Sequence, residues 1–372
     1  MRCWFFVAVL CSLFLISCSN GESCGESDVS LEWTWVPFDS DNLRISGRFN
    51  NQSDDYVILS WSGSSVTVAF VGTALEAKMC ADNVLYLSVF VDGHDDPSSV
   101  ITLEPSEKPS VMPVVANLPY GPHVVTLYKG TEGSLADWYF YGIRVLGSAQ
   151  KELLPDLPER KIEFVGNSIT CGYDVIVPAL GMEFDPIYEN SYYSYAGQTA
   201  KMLHADAHLI CRSGLGVSVN VNGSDEILMP DVYDWTEIRA IPAVAWEHGK
   251  WHPDAVVVNL GTNDFASNVY DSTRFVNATV EFIQHIRSCH PNAKIVILDG
   301  PMLTGYFMVK SRQYLNVAKE VLEGRGVKDL FRFSFEPKGE SPSGVYYHPV
   351  KDEAVADAER LSDWMRSEFN WD

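Results

Sequence analysis

The sequence predicts an α/β protein in two parts, an N-terminal β-sandwich followed by a parallel sheet covered by helices on both faces. Two observations predict it. From about Leu31 to Leu146 the chain is cut into short alternating apolar runs separated by turn residues, the pattern of half-buried antiparallel strands. From Ile162 onward, unalternated apolar runs are interleaved with helix-length stretches. Such runs read as strands buried on both faces and joined by crossover helices.

Taken in order, residues 1–18 carry one cation, Arg2, then an apolar run ending in small residues, and read as a secretory signal. The run is shorter than the ~20 residues a membrane-spanning helix needs. Its end, Leu15-Ile16-Ser17-Cys18, resembles a bacterial lipobox, which implies lipid attachment at Cys18 and anchoring of an exported lipoprotein to a membrane. Ordinary cleavage near Ser17 or Ser19, giving a free secreted protein, is the alternative. Residues 19–30 are polar and read as a flexible tether.

The sandwich is expected over residues 31–150, with strands at Tyr56–Trp61, Ser65–Phe70, Leu85–Val91 and His123–Tyr128, punctuated by pairs such as Asp92-Gly93 and Gly121-Pro122. Residues 151–160, charged and containing proline, form a linker. The second domain, residues 161–372, is expected to carry strands at Ile162–Val165, Ala207–Cys211, Ala255–Leu260, Ile295–Leu298 and Leu330–Phe335. Helices are expected at Ser191–His204, Ser272–Ser288, Ser311–Glu323 and Asp352–Phe369. In that architecture ligands bind beyond the carboxyl ends of the strands.

Composition narrows the partners. A net charge of −22 opposes nucleic-acid binding, which needs cations to neutralise phosphates, and disfavours polyanionic substrates. A neutral, hydroxyl-rich or ester-bearing partner suits it better. Beyond Cys18, the cysteines at 24, 80, 171, 211 and 289 are odd in number and scattered, which is not a disulfide framework. Cys171 and Cys211 both follow expected strands and are candidate neighbours, with separate core thiols the favoured reading. No Cys-x-x-Cys pair occurs, and neither a metal nor another cofactor is expected. The sequence specifies no oligomeric state.

Four blocks carry chemistry. Gly166-Asn167-Ser168-Ile169-Thr170 follows a buried strand and sets a hydroxyl at the start of a helix. Ser213-Gly214-Leu215-Gly216 follows the next strand, and Gly214 can present its N–H with no side chain in the way. Gly261-Thr262-Asn263-Asp264 ends a third; Asn263 offers a carboxamide N–H, and Asp264 can hold the loop by accepting backbone N–H groups. His348 lies between the last strand and the last helix, where an imidazole can take the serine proton at neutral pH. Of the nine histidines, His248 and His252 fall at the opposite end of the sheet. The reading is Ser168 as nucleophile, His348 as base, and an oxyanion hole made by Ser168, Gly214 and Asn263. The reaction is acyl transfer to water through an acyl-enzyme.

The first block resembles that of the SGNH (GDSL) hydrolases. The chain beyond the signal resembles carbohydrate esterase family 2, through Arg44-Ile-Ser-Gly-Arg48, Trp61-Ser-Gly, Gly121-Pro-His-Val-Val, Lys129-Gly-Thr-Glu132, Gly166 to Tyr173, Ser213 to Gly216, Asn259 to Phe265, Gly300-Pro-Met302 and His348-Pro349. The resemblance implies a jelly roll joined to a flavodoxin-like SGNH domain. It also implies deacetylation of plant polysaccharides such as acetylated xylan or glucomannan, with an acetylated polysaccharide or oligosaccharide as substrate. Two departures stand out. Asn167 replaces the usual Asp, and Val345 and Tyr346 occupy positions where many SGNH enzymes carry an acid. A Ser–His dyad with a main-chain carbonyl behind the imidazole is therefore expected, Asp352 being a weaker third member. Aromatic residues suited to stacking on sugars are Tyr192, Phe265, Tyr306 and Phe307. Two alternatives stay open, an SGNH lipase or acyl esterase on non-carbohydrate esters, and an inactive carbohydrate-binding lipoprotein.

Overall fold

A computed structural model describes residues 31–267, 269–337 and 347–371. The signal, Cys18, the tether, Val345 and Tyr346 lie outside the described residues. Among those described, no helix is long and apolar enough to cross a membrane.

The first half is a sheet of ten strands, all pairs antiparallel. They are β1 (Trp33–Pro37), β2 (Leu43–Ser46), β3 (Phe49–Asn50), β4 (Val57–Leu59), β5 (Ser65–Ala81), β6 (Leu85–Val91), β7 (Ser99–Leu103), β8 (Ser110–Val115), β9 (Gly121–Lys129) and β10 (Trp138–Ala149). Alternation decides which side chains go inside. In β9, Val125 and Leu127 are buried while Val124 and Thr126 are only partly so, because successive Cβ atoms point to opposite faces. β5 runs well past the expected Phe70. Its first half pairs with β2 and β9 and its second with β8, while β10 follows it along most of its length. Register shifts near Gly142 and Gly147 let β10 bend with it.

The second half is a parallel sheet of β11 (Arg160–Gly166), β12 (Ala205–Cys211), β13 (Ala255–Asn259), β14 (Lys294–Asp299) and β15 (Leu330–Ser334), in the order β12-β11-β13-β14-β15. Short helices α1 (Ser168–Cys171), α3 (Met229–Val232) and α4 (Thr262–Ala266) decorate the ends. The covering helices are α2 (Tyr195–Met202), α5 (Ser272–Cys289), α6 (Gly305–Gly324) and α7 (Lys351–Phe369). Adjacent residues of each strand serve opposite faces. Val165, Ile210, Val256, Val258, Ile295 and Ile297 pack in one core with residues of α5 and α6. Phe164, Leu209, Val257, Val296 and Leu298 pack in another with residues of α2 and α7. This double burial is why these strands read as continuous apolar runs.

Two helix starts differ from expectation. α2 begins at Tyr195, not Ser191. The Ser191 N–H is committed to the Gly130 carbonyl of the sandwich at 2.9 Å, leaving Ser194 to cap the helix through the Gly197 N–H. α6 begins at Gly305, ahead of Ser311.

The two sheets belong to one compact unit, Glu32–Asp372. Arg48 of the sandwich is fully buried and bridges to Glu163 of β11 at 2.9 Å. Trp61 Nε1 donates to the Trp235 carbonyl at 3.2 Å, and Asn190 Nδ2 donates to Ser88 Oγ at 3.1 Å.

Candidate active site

Strand order determines where the blocks meet. β11 is flanked by β12 on one side and β13 on the other, so connections leaving the three strands diverge and open a crevice at their carboxyl ends. Ser168 follows β11, Gly214 follows β12 and Asn263 follows β13.

Ser168 is the first residue of α1, and Asn167 is its N-cap, its side-chain oxygen accepting the Ile169 N–H at 3.2 Å. Asp and Asn serve equally in that role, which accounts for Asn167 in the first block. The Ser168 N–H belongs to the opening turn, whose donors have no intrahelical acceptor. His348 Nε2 lies 2.7 Å from Ser168 Oγ, although 180 residues separate them in sequence. That is the contact a nucleophile and its base need. Tyr173 packs its ring on the imidazole, with centroids 4.5 Å apart, and stacks on Phe184 from the other side at 4.0 Å.

The donor loop is held from two directions. Asp264, fully buried, accepts the N–H groups of Val217, Ser218 and Val219 at 2.7–3.1 Å, together with the Ser218 hydroxyl at 2.7 Å. Burial raises its carboxyl above the usual value against the pull of these bonds. Gly216 permits this wrapping, because a Cβ there would lie 2.0 Å from the Val219 carbonyl oxygen. Gly214 has φ of +80°, a conformation that favours glycine. Asn263 Nδ2 donates to the Leu215 carbonyl at 2.8 Å; that bond fixes the carboxamide and leaves its second hydrogen for a ligand oxygen.

The other hold comes from the sandwich, through Glu132, which the sequence marked only as the end of the Lys129-Gly-Thr-Glu132 match. Glu132 Oε2 accepts the Ser213 N–H at 2.6 Å, its Oε1 accepts from Ser134 Oγ, and its own N–H donates to Glu189 Oε1. Burial, then the proximity of Glu132, pushes the Glu189 carboxyl well above the usual range. Beside Glu132, Cys171 and Cys211 form a disulfide, which corrects the expectation of separate core thiols. β11 and β12 are parallel neighbours with Gly166 opposite Cys211, and α1 carries Cys171 back over the end of β12.

The remaining candidates scatter. Phe265 is a core residue, 1% exposed and packed on Phe275 at 4.8 Å, so it is corrected from sugar contact to packing. Tyr192 turns toward the sandwich, its hydroxyl donating to the Asp95 carbonyl at 2.5 Å and its ring tilted on Phe90. Tyr306 and Phe307 are exposed at the start of α6, with Phe307 against Tyr270. Asp352 is exposed, in the first turn of α7. Next to Gly214 lies a groove of about 290 Å³ whose lining includes Arg212, Asn220, Asn222, Ser224 and Glu226. Arg212 immediately precedes Ser213 of the second block, and the other polar residues went unremarked in the sequence because none belongs to a block.

Residues 45–155 match the family description "Carbohydrate esterase 2 N-terminal", and residues 164–365 match the "GDSL-like Lipase/Acylhydrolase family". A family two carbohydrate esterase from Clostridium thermocellum, solved in complex with cellohexaose, superposes with a TM-score of 0.83 at 33% identity, covering 88% of this chain and 99% of that one. The chain belongs to carbohydrate esterase family 2. Membership makes it a carboxylic ester hydrolase with the jelly-roll and SGNH architecture described above. It is 33% identical over 334 residues to the cellulase/esterase CelE of Acetivibrio thermocellus, covering 90% of this chain but spanning only 40% of that protein's length. It is also 27% identical over 362 residues to an acetylxylan esterase / glucomannan deacetylase of Cellvibrio japonicus, covering 97% of each. A family two esterase structure from Cellvibrio japonicus shares the fold at a TM-score of 0.82 and 24% identity, over 91% of this chain and 99% of that one.

Proposed function

We propose that this family 2 esterase is an exported O-acetylesterase removing acetyl groups from plant polysaccharides of the xylan or glucomannan type. The observation that carries the reading is the 2.7 Å approach of His348 Nε2 to Ser168 Oγ. Ser168 attacks the acetyl carbonyl while His348 takes its proton. The Ser168 and Gly214 N–H groups and the Asn263 amide stabilise the oxyanion. The imidazolium then protonates the departing sugar oxygen, which leaves as a free hydroxyl. Water, activated by the same imidazole, attacks the acetyl-enzyme and releases acetate. A main-chain carbonyl, rather than an acid, orients the imidazole.

The polar groove beside Gly214 suits a hydroxyl-rich substrate better than a long acyl chain, and relatives with both polysaccharide names support the substrate class. The disulfide supports export, since such bonds persist in oxidising compartments, and Cys18 is the proposed lipid site. The test compares acetate release from acetylated xylan and acetylated glucomannan by the wild-type protein and Ser168→Ala. The proposal expects release from at least one polymer and none from the variant. Equal release by the two proteins would remove Ser168, and faster turnover of octanoyl than acetyl esters would favour the lipolytic alternative.

A further inference from the structure

At the opposite end of the parallel sheet from Ser168, donors of three kinds converge on one point. Asp234 follows α3, His248 lies in the turn before β13, and His285 and Cys289 belong to α5. Asp234 Oδ1 is 2.8 Å from His248 Nε2, and its two oxygens are 2.9 and 2.8 Å from His285 Nε2. Cys289 Sγ is 3.7 Å from His285 Nε2. The donor atoms of Asp234, His248 and Cys289 all lie within 4.8 Å of one another. His285 and Cys289, four residues apart on one helix, necessarily share a face.

We propose that Asp234, His248 and Cys289, with His285 as fourth donor, form a binding site for a divalent cation of the zinc class. Tetrahedral zinc with bonds of about 2.0–2.3 Å to oxygen, nitrogen and sulfur separates neighbouring donors by roughly 3.3–3.7 Å. Asp234 lies 2.8 Å from each imidazole nitrogen and Cys289 Sγ 3.7 Å from His285 Nε2, distances on either side of that spacing, so side-chain rotation closes the donors around an ion. Two imidazoles, a carboxylate and a thiolate are the ligands zinc takes, whereas calcium and magnesium take oxygen. The carboxylate and thiolate together balance the cation's charge. The donors are reachable, since the side chains of Asp234 and His285 are 44% and 41% exposed and line an open cavity together with Arg274 and Glu281. Burial and then Asp234 raise the Cys289 thiol. Binding replaces its proton with the cation, and that proton goes to solvent.

Placement gives the site a consequence. Tyr233 and Trp235, flanking Asp234, are the residues whose carbonyls receive Arg48 and Trp61 from the jelly roll. A cation held here ties α5 of the hydrolase to the segment that grips the other domain. The role is structural and leaves the catalytic groups untouched.

The test uses the whole chain, freed of metal by chelator and titrated with Co²⁺. About one equivalent should give visible bands of tetrahedral intensity and a near-ultraviolet thiolate-to-cobalt band, both displaced by Zn²⁺. Zn²⁺ should also raise the melting temperature. Cys289→Ser should lose the near-ultraviolet band, and His285→Ala should weaken binding at least about tenfold. Both variants should keep the chelated wild type's melting temperature and esterase rate. A protein without tetrahedral bands, or a thiolate band that survives in Cys289→Ser, overturns the proposal.

Discussion

Glu132, on the jelly roll, accepts a 2.6 Å hydrogen bond from the backbone N–H of Ser213, the residue before Gly214. One domain thus sets the backbone from which the other presents Gly214, the proposed oxyanion donor. Glu132→Gln should keep the shape but weaken the bond, lowering kcat by about tenfold with little change in KM, because misplacing a preorganised donor costs transition-state rather than ground-state binding. Esterase kinetics with a melting curve as control would check this. A loss confined to KM would assign Glu132 to substrate binding instead.

Asn263 should matter more than Glu132 because its amide is the proposed direct donor to the oxyanion. Asn263→Ala removes the remaining N–H and also frees the Leu215 carbonyl, so kcat should fall by about 10²–10³. Acetate release at saturating substrate measures it, and a fall below about threefold would exclude Asn263 from the oxyanion hole.

The disulfide closes a span of 40 residues. Loop-closure entropy puts its contribution at about 3–4 kcal/mol. The double variant Cys171→Ala/Cys211→Ala, or the reduced protein, should show a correspondingly lower denaturant midpoint and reduced activity, since the bridge links α1, which begins with Ser168, to the end of β12. Unchanged unfolding after reduction would show that the thiols are not paired.

Arg48→Met should destabilise by about 3–5 kcal/mol, because it strands Glu163 as a buried charge without its partner. Adding Glu163→Met should recover part of the loss. Urea unfolding of the three variants tests this, and simple additivity of the two single changes would mean the pair is not coupled.

Acid should weaken the fold in two stages. Burial pulls the His208 imidazole from 6.5 down to about 3, so it stays neutral in the folded state while the unfolded chain takes up a proton. Its contribution is complete above about pH 6.5 and falls away as the pH drops toward 3. Burial alone would raise Glu163, but Arg48, with His290 and Tyr233, outweighs it and holds the carboxyl far below 4.5. Its stabilisation is lost below that value. His208→Phe keeps a ring against Trp251, stacked at 3.8 Å, and should flatten the melting-temperature profile from about pH 6.5 down toward 3, leaving below 4.5 only the slope that the carboxylates give. Parallel profiles would place the acid sensitivity elsewhere.

The two sheets, their order along the chain and the four blocks are legible in the sequence, because each rests on a local period or a turn. Strands buried on both faces cannot alternate, and a jelly-roll strand with one wet face must. Chain folding decided the rest. That Ser168 and His348 come within 2.7 Å depends on strand order, and the Cys171–Cys211 bridge depends on β11 and β12 being neighbours. Glu132 entered only as the end of the Lys129-Gly-Thr-Glu132 match, with no role attached, and the His285–Cys289 pair in no motif, since their partners lie on other elements. Phe265 looked like a sugar platform because sequence places it in the Asn263 block, yet the turn of α4 carries its ring into the core. Periodicity encodes which face a residue takes within its own element, whereas pairing across elements is fixed only when the cores close.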